Sequence, residues 1–228
     1  MADPAEVRAL TFDCYGTLID WETGIRAYLR ALLERKGAAH LDVEVFYDRW
    51  YNQCERKIID GPFLVYHDVL HQSIQCALAA FDLHPQPEDG ADFGLAMKTW
   101  QPFADTHQVL TRLARKYPLC IVSNTARDIV AESIRHMDVS FAQVVTAQDS
   151  GAYKPNRPSF EMALARLGLP PGQVLHVFQS KVADLVTASP MGFQTAWINR
   201  QHETLEPELP RPDWTFTELG PLLDLLGA

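Results

Sequence analysis

Between residues 105 and 198 the apolar residues change period at regular intervals, and few architectures accommodate that pattern. Helical spacing over 106–116 gives way to a short apolar run at 119–122, and the same switch recurs as helix 127–137, strand 143–146, helix 157–167 and strand 174–178. A last short helix precedes a strand at 195–198. Strands separated by helices in this way pair in parallel, because each crossover must return the chain to the same end of the sheet. The expected result is a parallel sheet covered by helices on both faces. One more strand, 8–12, stands far upstream. The segment between them has helical periodicity only: Ile25, Tyr28, Leu29, Leu32 and Leu33, then 43–59, then Leu70, Ile74, Ala77, Leu78 and Phe81, and finally 91–100 after a break at Pro85 and Pro87. The pattern predicts an α/β, doubly wound core over 1–20 and 101–228, with a helical cap domain inserted at 21–100. No internal repeat is present.

The chain of 228 residues, 47% of them hydrophobic, has the size of such a core plus a lid. No apolar run approaches the roughly 18 residues of a membrane span, and the opening MADPAEVRAL lacks the sections of a secretion signal. A cytoplasmic location is therefore expected. The net charge of −9, with basic residues scattered among acidic ones, argues against nucleic acid as a partner. The four cysteines, Cys14, Cys54, Cys76 and Cys120, have no CxxC spacing, so neither a zinc site nor a disulfide framework is expected.

Chemistry concentrates where the strands end. The first strand delivers Asp13 into a turn, at the carboxyl edge where Rossmann-like sheets place their ligands. A carboxylate there can serve as a covalent nucleophile. Later strand ends bring Ser123 and Asn124, then Lys154 before Pro155, then Asp184. Each has a plain local reading, since Asp and Gly favour turns, Ser and Asn cap helices, and a loop lysine is ordinarily solvated. Their succession in one chain is what departs from coincidence.

The stretch FDCYGTLIDW resembles the first motif of the haloacid dehalogenase superfamily, whose leading aspartate attacks the substrate. VSNT, GAYKP and FQSKVAD resemble its second, basic and acidic motifs, and MGFQTAWINR looks like the last strand of its 2-haloacid dehalogenases. Phosphatases of the superfamily carry a general-acid aspartate two residues past the nucleophile, where this chain has Tyr15. Positioned acid catalysis is worth roughly 10²- to 10⁴-fold, so its loss argues against an efficient phosphatase. A departing halide needs no proton.

The resemblance implies a metal-free and cofactor-free site acting on a small 2-haloalkanoic acid. Asp13 would be the nucleophile, Lys154 would keep it ionised, and Thr17 and Ser123 would hold carboxylates. Backbone N–H groups after Asp13, those of Cys14 and Tyr15, would steady an oxyanion. Asp184 would orient Lys154 or polarise water, and Asn124 with cap aromatics would receive the halide. Trp21, Tyr51 and Phe63 are candidates to line an apolar pocket. Lys181 departs from the motif; its cation would bind a substrate carboxylate, pair with Asp184 or point to solvent. The cap arginine that such dehalogenases use after a tryptophan is missing, for Trp50 is followed by Tyr51 and the nearest arginines are Arg49 and Arg56. Three alternatives stand beside this reading: a Mg²⁺-dependent phosphatase, a non-catalytic small-acid-binding descendant, and displacement of a nitrogen leaving group with Tyr15 or a cap residue as proton donor. Helix faces rich in Leu and Tyr would permit a homodimer.

Overall fold

The computed structural model describes residues 2–228. Six parallel strands form one sheet in the order β3-β2-β1-β4-β5-β6, where β1 is Ala9–Phe12, β2 Leu119–Ser123, β3 Gln143–Thr146, β4 Val174–Phe178, β5 Gln194–Ile198 and β6 Trp214–Phe216. β1 is central, pairing Phe12 with Ile121 of β2 on one side and with Val177 of β4 on the other. The strand order reverses there, so the carboxyl end of β1 opens into the crevice where α/β sheets bind ligands. Every residue of β1, β2, β4 and β5 is buried, as a sheet covered on both faces requires.

The sheet is doubly wound, as the pattern predicts, with two differences. The edge strand β6 and the terminal helix Pro221–Leu226 escaped the periodicity reading, because a three-residue, half-buried strand carries too few positions to show a period. The helix after β4 is also irregular, π-helical over Lys181–Leu185 and α-helical over Val186–Ala188.

Between β1 and β2, four helical segments form the cap, α1 (Trp21–Arg35), α2 (residues 43–59), α3 (Tyr66–Ala80) and α4 (Asp89–Met97), and a core helix, Thr106–Leu113, then leads into β2. Asp20 and Asp42 start α1 and α2 by accepting backbone N–H groups from Thr23 and Glu44. The interior is aromatic: Tyr28 stacks on Phe93 with centroids 4.5 Å apart, and the Trp50 indole donates to Ser73 Oγ at 3.0 Å. The two passages of the chain between sheet and cap pair with one another, Asp20 N donating to Gln101 O and Phe103 N to Leu18 O. Two further ties join cap to core. His67 and Lys98 both reach Asp128 on the core helix Arg127–Met137, and the Tyr153 hydroxyl donates to Leu64 O.

α2 is not the uniform helix that its spacing predicts. It is α-helical over Val43–Asp48 and Arg56–Ile59 and π-helical over Arg49–Glu55, the kind of irregularity that clusters at functional sites. Cys54 at the end of the π segment is joined by a disulfide to Cys76 on α3, which corrects the expectation of no disulfide bond. The pairing joins residues 22 apart in sequence on two packed helices, a juxtaposition that cysteine spacing does not reveal. Cys14 and Cys120 are free, buried thiols.

Candidate active site

The turn after β1 arranges the first elements. Asp13 N continues the ladder by donating to Val177 O. Leu18 N and Ile19 N both donate to Cys14 O, curling the chain back on itself. Gly16 makes the curl possible with φ +93°, a left-handed conformation that side chains resist, and a Cβ there would lie 3.1 Å from Gln179 Oε1 and Trp21 Nε1. Among the described residues the Cys14 and Tyr15 N–H groups enter no hydrogen bond, so they remain available at the rim of Asp13.

Asp13 is almost wholly buried and both its oxygens are held, Oδ1 by Lys154 Nζ at 2.7 Å and Oδ2 by the Thr17 hydroxyl at 2.9 Å. The Lys154 ammonium uses all three of its donors, on Asp13 Oδ1, on Asp184 Oδ1 at 2.7 Å and on Val122 O at 3.0 Å. Asn124 clamps the lysine's own backbone, its Nδ2 donating to Lys154 O and its Oδ1 accepting from Lys154 N. Asp184 is fully buried, and its Oδ1 also receives the His176 Nε2–H at 2.9 Å, while the Thr11 hydroxyl donates to His176 Nδ1. Its other oxygen, Oδ2, has no hydrogen bond among the described residues.

The charges divide unequally. Burial raises the Asp13 carboxyl above its ordinary value against the pull of Lys154 and Thr17, and the Asp184 charge raises it further. Burial acts on Asp184 in the same sense, but Lys154 and His176 outweigh it and hold that carboxyl below the ordinary value. Burial works against the charge of Lys154, yet the two carboxylates more than compensate and raise it. The result is one fixed cation between a firmly ionised carboxylate and a more basic, more nucleophilic one.

Above Asp13 lies a cavity of about 150 Å³, a volume that in other proteins accommodates a molecule of benzene's size. Asp13, Ser123, Asn124 and Lys154 form its floor. Ser123 Oγ accepts from Thr125 N, and its hydroxyl hydrogen is uncommitted. Trp21 and Tyr51 line the cavity with ring centroids 5.4 Å apart, joined by Trp100 and the Tyr15 ring. The Tyr15 hydroxyl is directed to Ser133 Oγ, 2.8 Å away on the core helix, and burial pushes its pKa well up, so Tyr15 supplies wall rather than acid.

Several expected site residues are placed elsewhere. Phe63 does not line the cavity; it follows the Gly61-Pro62 turn, is 39% exposed and packs on Tyr153. Lys181 turns outward to Glu203 and Glu206, each at 3.0 Å, and donates to Thr204 O. It neither meets Asp184 nor enters the cavity, because acids of a distant loop supply nearer partners. The Cys14 side chain is buried in the core, where desolvation pushes its thiol pKa well up, and only its backbone can serve. Asn124 is on the floor, but its amide is engaged with Lys154, which makes it a positioning group before a halide ligand.

Sequence reasoning missed Glu55 and Tyr66, which line the cavity from the cap, and His176 beneath Asp184. A signal for each was present. Tyr51, Glu55 and Ile59 recur every fourth residue and all three reach the cavity, so Glu55 is an acid on an otherwise apolar stripe. His176 is the one polar residue of VLHVF in β4. No arginine lines the cavity; Arg56 is exposed and borders an adjoining cleft of about 240 Å³ that shares Tyr51, Glu55, Asn124 and Lys154 with it.

A buried aspartate at the switch point of a doubly wound sheet, braced by lysine and roofed by an inserted helical cap, defines a capped α/β hydrolase. The family model for haloacid dehalogenase-like hydrolases matches residues 7–177, and the chain belongs to that family. It is 27% identical over 208 residues to an (S)-2-haloacid dehalogenase of Xanthobacter autotrophicus, spanning 89% of this chain and 79% of that one. It is also 27% identical over 209 residues to 5-amino-6-(5-phospho-D-ribitylamino)uracil phosphatase of Escherichia coli, spanning 87% and 86%. Among solved structures it superposes on an L-2-haloacid dehalogenase with a TM-score of 0.83 at 25% identity, covering 97% of this chain and 99% of the other.

Proposed function

We propose that this hydrolase dehalogenates a small 2-haloalkanoic acid through an ester formed on Asp13, without a metal ion. The observation that carries the reading is the Lys154 ammonium bridging Asp13 and Asp184 at 2.7 Å on each side. A magnesium ion would need about six oxygen ligands in octahedral array. Here the space between the two acids holds a cation already, Asp184 Oδ1 is taken by both Lys154 and His176, and a phenol stands two residues past the nucleophile. The donor set does not fit magnesium. Identity to the Xanthobacter dehalogenase and to the Escherichia coli phosphatase is equal at 27%, so the choice of branch rests on this donor set, with the likeness to the L-2-haloacid dehalogenase structure beside it.

In the first step an Asp13 carboxylate oxygen bonds to the α-carbon from the rear while the carbon–halogen bond breaks and the halide leaves with its electron pair. The Ser123 hydroxyl and the N–H groups of Cys14 and Tyr15 receive the substrate carboxylate and then the ester oxyanion. In the second step water adds to the ester carbonyl carbon, the bond from that carbon to the ester oxygen breaks, and this former Asp13 oxygen leaves on the α-carbon, takes up a proton and becomes the hydroxyl of a 2-hydroxy acid of inverted configuration. Asp184 does not line the cavity and acts by holding Lys154 against Asp13, while the proton given up by the water passes to the departing oxygen. Splitting the displacement in two replaces one difficult step by two easier ones.

Chloride release from 2-chloropropionate is expected to proceed undiminished in excess chelator, with 4-nitrophenyl phosphate left intact under the same conditions. Phosphate release that depends on added magnesium, with no chloride, would reverse the assignment. The pH profile provides a second check. The nucleophile must be ionised and burial raises its pKa, so activity should fall with acidification earlier than an unperturbed aspartate would require. A kcat/KM profile that stays flat down to the ordinary aspartate pKa would contradict that role.

A further inference from the structure

The cap carries an acid where an enzyme for simple halo acids has use for a cation. Glu55 is 5% exposed, faces the cavity that holds Asp13, and is paired with no arginine or lysine. The Tyr66 hydroxyl donates to its Oε1 at 3.0 Å, and Oε2 accepts no hydrogen bond among the described residues. Trp21, Trp50, Tyr51 and Trp100 surround the same space. A largely buried carboxyl that turns one open oxygen into a cavity offers an acceptor to a donor that enters it, and rings around it attract a cation. A plain alkyl halo acid would satisfy neither.

We infer that Glu55 and Tyr66 form a specificity-determining subsite for a protonated nitrogen, so that the preferred substrate is a small carboxylic acid bearing an amine as well as the group that Asp13 displaces. The carboxylate of such a molecule is received on the floor by the Ser123 hydroxyl and the N–H groups of Cys14 and Tyr15, and its ammonium at the roof by Glu55. The inference rests on the cavity being the substrate site, as proposed above, but not on the identity of the leaving group.

The titratable groups around Glu55 are Tyr47, Tyr51 and Arg56 from its own helix, Tyr66 from α3, Tyr153 from the core, and Asp13 and Lys154 across the cavity. Burial raises the carboxyl to about 7, with the Tyr66 hydrogen bond and Arg56 opposing. Ionised Glu55 is the form that attracts an ammonium group, so amine affinity should climb as pH rises through that value. A subsite in which protonated Glu55 donates to a carboxylate would show the reverse slope.

The test uses two probes of equal size, 3-aminopropionate and butyrate, titrated calorimetrically into the whole protein at pH 6 and pH 8 without turnover. At pH 8 the amine is expected to bind about 10- to 100-fold more tightly, the range of one hydrogen bond to a charged group, and the advantage should shrink at pH 6. Glu55→Gln, whose folding is checked by circular dichroism, should reduce the preference to within about threefold. Equal binding, tighter binding of butyrate, no binding of 3-aminopropionate, or a preference that survives Glu55→Gln would each overturn the inference. The pH slope in the unaltered protein decides the matter even if the variant fails to fold. Chloride release from 2-chloropropionate is scored separately and judges the dehalogenase reading alone.

Discussion

Asp13→Asn is expected to remove turnover almost entirely, with a loss on the order of 10⁴-fold or more in kcat, the scale seen when a covalent nucleophile is deleted. The amide keeps the size of the carboxylate, and its oxygen can still accept from Lys154. Lys154 retains Asp184 and Val122 O in any case. The variant should therefore fold, and the loss is chemical. Two measurements check this: halide release, and the mass of the peptide containing residue 13 after trapping with a halogenated acid. The native protein should gain the mass of the acid less halide on that peptide, and the variant should gain nothing. Single turnover in ¹⁸O-water adds a third check, since the heavy oxygen should enter Asp13 and spare the product. More than about a hundredth of native activity in the variant would mean that the nucleophile lies elsewhere, because a lost nucleophile costs far more than that.

Lys154→Met should be the most damaging single change to the fold. It leaves Asp13 and Asp184 buried near one another with no cation between them, and removal of one partner from a buried ion pair typically costs about 3–5 kcal/mol. Denaturant unfolding would measure the loss. The sign of its pH dependence separates this cause from mere cavity formation. In the native protein the lowered Asp184 carboxyl contributes stability that is present above the unfolded-state pKa and is lost as pH falls through the folded value. In the variant both carboxyls should be raised instead, so stability should increase as the solution is acidified from about pH 7 toward pH 5. A variant that loses stability over that range would show that the lysine acts only as packing. Catalysis should vanish in either case, because Asp13 would be protonated and unaligned.

The limits of legibility follow particular residues. Asp13, Thr17 and Ser123 were readable because each lies within a few residues of a strand end, and Lys154 through the GAYKP stretch beyond β3 and a short helix, and the sheet topology then gathers them along one edge. Tyr15 and Trp21 were readable for the same reason, being fixed by the turn that follows β1. Lys181 sits at a motif position and still misled, since its partners Glu203 and Glu206 come from a loop more than twenty residues away. Phe63 misled because exposure of a cap loop depends on how the helices stack and not on their spacing. His176 and Asn124 acquire their parts only through bonds across the fold, to Asp184 and Thr11 in one case and to the backbone of Lys154 in the other.

The amino-acid order alone settled the parallel sheet, the helical insertion and the identity of the acid at the first strand's end, because period and strand-end chemistry are local properties of a chain. Which side chains face Asp13 was decided by tertiary packing. The lysine bridging two acids, the disulfide between Cys54 and Cys76, and the acid of Glu55 turned into an aromatic chamber each join residues distant in sequence. Their energies come from burial, and burial belongs to the folded molecule as a whole.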